Sequence, residues 1–99
     1  MAGGYVGILR VELHFPTNHS LKGKRKELLS TKAHLQRRFG AAVAEVDHHD
    51  VWQRAGLAVA CVAREYREVE RLLDEAERYL DGQSYVLSRS EREVVSVDE

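Results

Sequence analysis

The sequence predicts an α+β fold of the ferredoxin-like βαββαβ type, a sandwich of two helices on one face of a four-stranded antiparallel sheet. The chain contains segments in which apolar residues recur every two positions, as in strands, and two long segments in which they recur with helical spacing. Their order is strand, helix, strand, strand, helix, strand. The connection between the second and third strands is too short for a helical crossover, so these strands should form a hairpin. Because crossovers are right-handed, few other topologies remain.

The first strand is predicted over residues 5–14, where apolar and polar side chains alternate. Leu9 and Leu13 belong to the face that should point into the core. Arg10 and Glu12 belong to the opposite face. Such alternation is typical of a strand that is buried on one side only.

The first helix is predicted from Leu21 to Phe39, with Ser20 as its N-cap and Gly40 in the left-handed position that follows the last turn. Residues spaced three and four apart should form its inward stripe, with the stems of long polar side chains covering apolar surface. The members of the predicted stripe are Leu21, Arg25, Leu28, Leu29, Lys32, Leu35, Gln36 and Phe39.

The second and third strands are predicted over residues 41–47 and 55–63, and the second helix over residues 65–80. The third strand is apolar on both faces, which is typical of a central strand. A fourth strand is predicted over the tail, either continuous or bent or interrupted where an exposed segment of mixed charge separates the apolar pieces 85–87 and 94–97.

Length and composition indicate one globular domain over residues 1–99, with residues 1–4 and 98–99 expected to be disordered. Hydrophobic residues make up 43% and charged residues 31% of the chain, and the net charge is −1. This balance excludes a protein that is basic overall. A nucleic-acid site would therefore have to arise from local charge asymmetry.

The sequence also predicts a cytoplasmic protein that does not enter a membrane. Its N-terminus lacks the basic and apolar regions of a signal peptide, and no apolar run is long enough for a transmembrane helix. The single cysteine, Cys61, allows no disulfide within the chain and is expected to be a buried, inert thiol.

Cations crowd the start of the first helix, where the helix dipole favours acidic side chains instead. Free backbone N–H groups and clustered cations form a good phosphate receptor, so this end is the predicted site for RNA or another anion. The candidate residues are Ser20, Lys22, Lys24, Arg25 and Lys26, with Arg37 and Arg38 extending the track and Arg54 as a neighbour. The alternative is an ordinary solvated charged surface.

The charge asymmetry extends along both helices. Residues 21–38 contain seven Lys or Arg and one acid, whereas residues 64–81 contain four Arg and seven acids. A basic helix face can follow a nucleic-acid backbone. The same asymmetry could also direct docking onto an acidic protein surface.

A second constellation lies in the predicted hairpin, and its role is open. Its members are Glu45, Asp47, His48, Asp50, Trp52 and Gln53. No zinc-type spacing, nucleophile motif or glycine-rich phosphate loop accompanies them, so the sequence predicts no metal, no cofactor and no catalytic residue. An enzyme that uses residues 47–54 remains an alternative hypothesis.

The face of the sheet away from the helices should carry Val6, Ile8 and the second face of the third strand. These apolar residues need a cover, and a homodimer through this open face is the simplest one. An oligomeric regulatory or small-anion-binding domain is therefore the second functional hypothesis.

Four stretches of the sequence carry a family resemblance: YVGILRVEL at 5–13, HSLKGKR at 19–25, VAEVDH at 43–48 and DVWQRA at 50–55. Together they resemble the DUF503, or YlxP-like, family of small bacterial proteins. The resemblance implies a ferredoxin-like fold, a cytoplasmic and often oligomeric protein, and no established activity. Members are commonly encoded near translation and ribosome-maturation factors, including ribosome-binding factor A, which implies association with RNA or the ribosome.

Overall fold

Six elements follow one another in the predicted order, and the computed structural model describes them within residues 3–98. The elements are β1 (Tyr5–His14), α1 (Leu21–Phe39), β2 (Ala42–Asp47), β3 (Arg54–Ala63), α2 (Tyr66–Asp81) and β4 (Val86–Ser96). The predicted βαββαβ order is thus confirmed, and α1 has the predicted bounds.

The four strands form one antiparallel sheet in the order β2-β3-β1-β4, as a ferredoxin-like fold requires. Leu9 of β1, Leu35 of α1 and Leu73 of α2 all belong to one core cluster. Both helices therefore cover the same face of the sheet, and the other face is left open.

Strand β1 lies at the centre of the packing and has the predicted two faces. Leu9 and Leu13 are buried, whereas Arg10 is exposed on the open face. Gly7 also lies on the buried face, where a Cβ atom would stand 2.4 Å from Cγ1 of Val69 in α2. The absence of a side chain at Gly7 therefore lets α2 approach the sheet closely.

The ends of α1 match the prediction, but its buried stripe does not. The Ser20 hydroxyl accepts a hydrogen bond from the backbone N–H of Gly23 at 3.0 Å, and Gly40 is left-handed with φ of 63°. The buried residues are Lys24, Leu28, Thr31 and Leu35. Arg25 and Leu29 of the predicted stripe are exposed.

The inward face of α1 is rotated from the prediction because two of its buried positions are polar. Thr31 shares a 2.7 Å hydrogen bond with the hydroxyl of Tyr85, whose burial raises its pKa to about 12. Lys24 also has protein partners, described below. Both polar groups are satisfied, so their burial is tolerated.

The predicted fourth strand is present, and β4 continues without interruption through the charged segment. Its middle is charged because β4 is an edge strand with one open face. On the helix side, Arg92 donates to Asp74 and Glu77 of α2 at 2.9 and 2.7 Å. A register shift against β1 between Glu12 and Leu13 further obscures the two-residue period.

The first and last described residues, Gly3 and Asp98, lie beside each other where β1 begins and β4 ends. The Gly3 N–H donates to the Asp98 carboxylate at 2.8 Å, and the Gly4 carbonyl accepts from the Val97 N–H at 2.9 Å. The disorder expected at residues 1–4 and 98–99 stays a prediction. The other terminal positions expected to be disordered, Met1, Ala2 and Glu99, lie outside the described residues. Cys61 is buried, as predicted, and burial raises the pKa of its thiol. In the described part of the chain, neither helix has the length and apolar character of a membrane span.

Candidate functional site

The buried side chain of Lys24 joins the start of α1 to the connection between β2 and β3. Its Nζ lies 2.9 Å from Oε2 of Glu45 and within hydrogen-bond distance of four backbone carbonyl oxygens. These carbonyls belong to His48 (2.9 Å), His49 (3.2 Å), Val51 (2.7 Å) and Arg54 (3.1 Å). Three ammonium protons are therefore shared among five acceptors. We call residues 48–53 the clamped loop.

This arrangement corrects the prediction that Lys24 contacts phosphate. Its ammonium is fully buried, and the Glu45 carboxylate neutralises its charge. A buried ammonium with this many partners offers no free donor to a ligand in solvent. Lys24 instead fixes the conformation of the clamped loop.

The connection between β1 and α1 fastens the clamped loop a second time. The Asn18 side-chain amide donates to the carbonyls of Trp52 and Ser20 at 2.5 and 2.7 Å. The Phe15 N–H donates to the carbonyl of Gln53 at 2.8 Å. Asn18 can lie this close to α1 because residue 23 is a glycine. A Cβ atom at this position would stand 2.3 Å from Oδ1 of Asn18. Gly23 therefore has a packing role.

The clamped loop presents an apolar surface to solvent. Trp52 is 41% exposed, and Val51 beside it is similarly exposed. The ring centroids of His19 and Trp52 are 6.3 Å apart, with a tilt of 55°. A large aromatic side chain is thus displayed on a loop whose backbone is held by hydrogen bonds.

His48 faces the opposite way and belongs to a polar cluster on the open sheet face. Its backbone is left-handed with φ of 59°, an uncommon conformation for a residue other than glycine. Its Nε2 lies 3.0 Å from both carboxylate oxygens of Glu12, and Arg54 donates to the same carboxylate at 3.0 Å. The hydrogen bond with His48, together with the charge of Arg54, lowers the pKa of Glu12.

The structure therefore separates residues that the sequence grouped together. The Arg54 side chain lies on the open face, paired with Glu12, and only its backbone carbonyl contacts a cation of α1, Lys24. Glu45 turns towards Lys24, whereas Asp47 turns towards His48, with 3.7 Å between carboxylate and ring. Among residues 3–98, no three His, Cys, Asp or Glu side chains converge as metal ligands would.

The exposed cations of α1 fall into a cluster in its first turns and a second group near its C-terminal end. We call Lys22, Arg25, Lys26 and Arg37 the basic face. Helical geometry puts Lys22, Lys26 and Arg37 on the side opposite the buried stripe, with Arg25 and Lys32 at one margin, whereas Arg38 projects towards the side of the buried stripe. Within residues 3–98, none of these six cations forms an ion pair.

The acidic residues of α2 are largely neutralised, in contrast to the basic face. Arg71 pairs with Glu68 and Glu75 within the helix. Arg92 of β4 pairs with Asp74 and Glu77. The positive side of the molecule is therefore less compensated than its negative side.

A cavity of about 570 Å³ lies between α1 and the connection from α2 to β4. Lys26 and Glu27 both line it, so their charges offset one another. The Glu27 carboxylate also accepts a hydrogen bond from the Ser84 hydroxyl at 3.2 Å. This cavity therefore does not favour a small anion.

Comparison with known proteins finds a matching family, a similar sequence and several similar folds. The family model described as "Protein of unknown function (DUF503)" matches residues 6–96. "Uncharacterized protein YlxP" of Bacillus subtilis (strain 168) is 29% identical over 63 residues, which cover 64% of this chain and 68% of that protein.

Among solved structures, the designed protein Foldit4 is similar with a TM-score of 0.62 at 12% identity, over 95% of this chain and 98% of that one. A point mutant of SnoaB, a cofactor-independent oxygenase from Streptomyces nogalater, has a TM-score of 0.50 at 17% identity, over 99% and 96%. At these identities the likeness shows the fold alone.

Proposed function

Because the chain belongs to the DUF503 family, whose description assigns no activity, we propose from its geometry that it is a non-catalytic module associated with RNA or the ribosome. The basic face of α1 binds the phosphates, and the protein works in the cytoplasm. The observation that carries this proposal is the row of exposed, unpaired cations within residues 3–98 on one side of one helix.

The electrostatics of the basic face favour an extended polyanion over a small one. Lys22 and Arg37 are separated by about 22 Å along the helix axis. An extended nucleic-acid backbone can contact the three cations of the first turns and Arg37 at the same time, and binding then gains from the release of counterions. A single small anion would contact only one end of the row.

Two of the candidate residues have other roles in this proposal. Ser20 caps the helix, and Lys24 holds the clamped loop. Arg38 lies in the last turn of α1, where the dipole favours cations, but helical geometry turns it away from the basic face, so it is not part of the proposed phosphate-binding surface.

A second copy of the chain covers the open sheet face. Val62 is 67% exposed and pairs across strands with Val6, which in turn pairs with Val95. Ile8 and Ala60 continue this apolar area along the sheet. A two-fold axis through the area would bring identical apolar surfaces together and leave both basic faces free.

The test of RNA binding is a titration of short RNA against the parent and a variant that combines Lys22→Gln, Arg25→Gln and Lys26→Gln. We expect the variant to bind far more weakly. The slope of log K against log salt should also fall by about 2, since each lost phosphate contact removes about 0.7. A variant that binds as the parent does would refute the proposal.

The matched control removes the same number of charges elsewhere, by combining Arg64→Gln, Arg67→Gln and Arg78→Gln. All three arginines are exposed, near or within α2. This variant should keep the affinity and salt slope of the parent. Crosslinking in cells followed by sequencing of bound RNA would then identify a ribosomal target.

A further inference from the structure

We infer that Trp52 is a stacking platform for an unpaired base, so that the RNA bound by the basic face is single-stranded. This inference rests on the proposed function and specifies its ligand. Bases in a duplex have their faces covered by their neighbours, whereas unpaired bases can stack on an aromatic side chain.

The first support is the exposure of Trp52. It is the only tryptophan of the chain, and 41% of its surface is accessible. Tryptophan offers the largest aromatic face of any side chain, and leaving it in water forgoes the stabilisation that burial would bring.

The second support is the rigidity of the backbone beneath the ring. Lys24 holds the carbonyls on either side of Trp52, those of Val51 and Arg54, and Asn18 holds the carbonyl of Trp52 itself. A ligand that stacks on the ring therefore has little loop motion to arrest. Such preorganisation strengthens binding, because less conformational entropy is lost.

The third support is the position of Trp52 next to the start of the basic face. One Asn18 amide bridges the carbonyls of Trp52 and Ser20, and the basic face begins two residues later at Lys22. The His19 ring borders the same surface at 6.3 Å. A strand with phosphates on α1 can thus turn one base towards Trp52.

Because Trp52 is the only tryptophan, its own fluorescence reports the contact. The protein is titrated with a short single-stranded RNA, with the duplex of the same sequence, and with a single strand that carries abasic sites. We expect the single strand to quench the fluorescence. The duplex and the abasic strand should bind through charge without comparable quenching.

Two substitutions separate stacking from general apolar contact. Trp52→Leu should weaken binding of the single strand about ten- to a hundred-fold, whereas Trp52→Phe should retain most of it. The salt slope should be unchanged in both variants. Tyr66→Leu is the matched control, since Tyr66 is 49% exposed just beyond the other end of β3. Urea unfolding verifies that each variant is folded.

The outcomes distinguish the inference from the proposed function. If Trp52→Leu binds the single strand as tightly as the parent, with the salt dependence intact, the stacking role is overturned and RNA binding by the basic face stands. Trp52 would then be a protein contact. If the parent binds no RNA, both proposals fail.

Discussion

The Lys24 ammonium lies 2.9 Å from a carboxylate oxygen of Glu45, and both side chains are almost withdrawn from solvent. Four backbone carbonyls complete the surroundings of the ammonium. Burial of this pair is tolerated only because so many acceptors replace water around the charge. The pair therefore connects the stability of the fold to the shape of the clamped loop.

Lys24→Met should reduce the free energy of unfolding by about 3–5 kcal/mol, because the Glu45 carboxylate loses its buried partner and keeps only the exposed His49 ring at 3.3 Å. Glu45→Gln should have a smaller effect, since Lys24 keeps its four carbonyl acceptors. Urea unfolding at neutral pH measures both. Lys26→Met, on the exposed side of the same helix, should lie within about 0.5 kcal/mol of the parent. Equal losses in the free energy of unfolding for Lys24→Met and Lys26→Met would contradict the role of Lys24 in holding the clamped loop.

Glu12→Gln should reduce the loss in the free energy of unfolding that occurs as the pH falls into the acidic range. The pKa of Glu12 in the folded protein lies below its ordinary value of 4.5. The unfolded chain therefore takes up the proton first as the pH falls. The contribution of Glu12 is complete above pH 4.5 and is lost as the pH falls through the lower, folded pKa.

Urea unfolding at a series of pH values compares the parent with Glu12→Gln. Asp50→Asn is the control, since Asp50 is exposed and has no ion pair within the described residues. The prediction fails if Glu12→Gln and the parent lose stability in parallel as the pH falls.

Gly7→Ala should destabilise the protein by about 1–3 kcal/mol through overpacking. The new Cβ would stand 2.4 Å from Val69 and 2.9 Å from Leu73, both in the buried face of α2. Gly82→Ala is the control, since its nearest neighbours would be 3.6 Å away. Thermal unfolding should give a clearly lower melting temperature for Gly7→Ala than for Gly82→Ala. Equal melting temperatures would contradict close packing of α2 against Gly7.

Val62→Asp should convert the proposed dimer to a monomer, because it places a charge at the centre of the apolar open face. Leu29→Asp is matched to it, since both side chains are 67% exposed but Leu29 lies on the outward side of α1. Sedimentation velocity measures the mass of each. A parent that sediments as a monomer would refute the dimer.

The order of elements was predictable because each carries a strong local period. Ser20, Gly40 and the length of α1 follow from capping chemistry that depends only on neighbouring residues. The continuous β4 was not predictable, because Arg92 replaces an apolar residue on the covered face and is satisfied only by α2. A tertiary contact thus overrides the local pattern.

The candidate site shows the same division. The charge of α1 can be counted from the sequence, and the exposed cations of the basic face follow from it. The role of Lys24 depends on carbonyls 24 to 30 positions away. One signal was available, since Lys24, Leu28, Thr31 and Leu35 have regular helical spacing. However, Leu21 and Leu29 led to the prediction of a different buried face of α1.

The hydrogen bonds from Lys24 also bear on how the protein opens. A surface connection between two strands would ordinarily unfold locally, well before the rest of the chain. Here the carbonyls of the clamped loop accept hydrogen bonds from the buried Lys24 side chain of α1. The loop therefore cannot leave the protein surface while α1 remains packed on the sheet. The Val51 amide, which donates to the carbonyl of His48, should then exchange with deuterium at a rate set by global unfolding. The surface around Trp52 should select partners by fit and not by adapting to them.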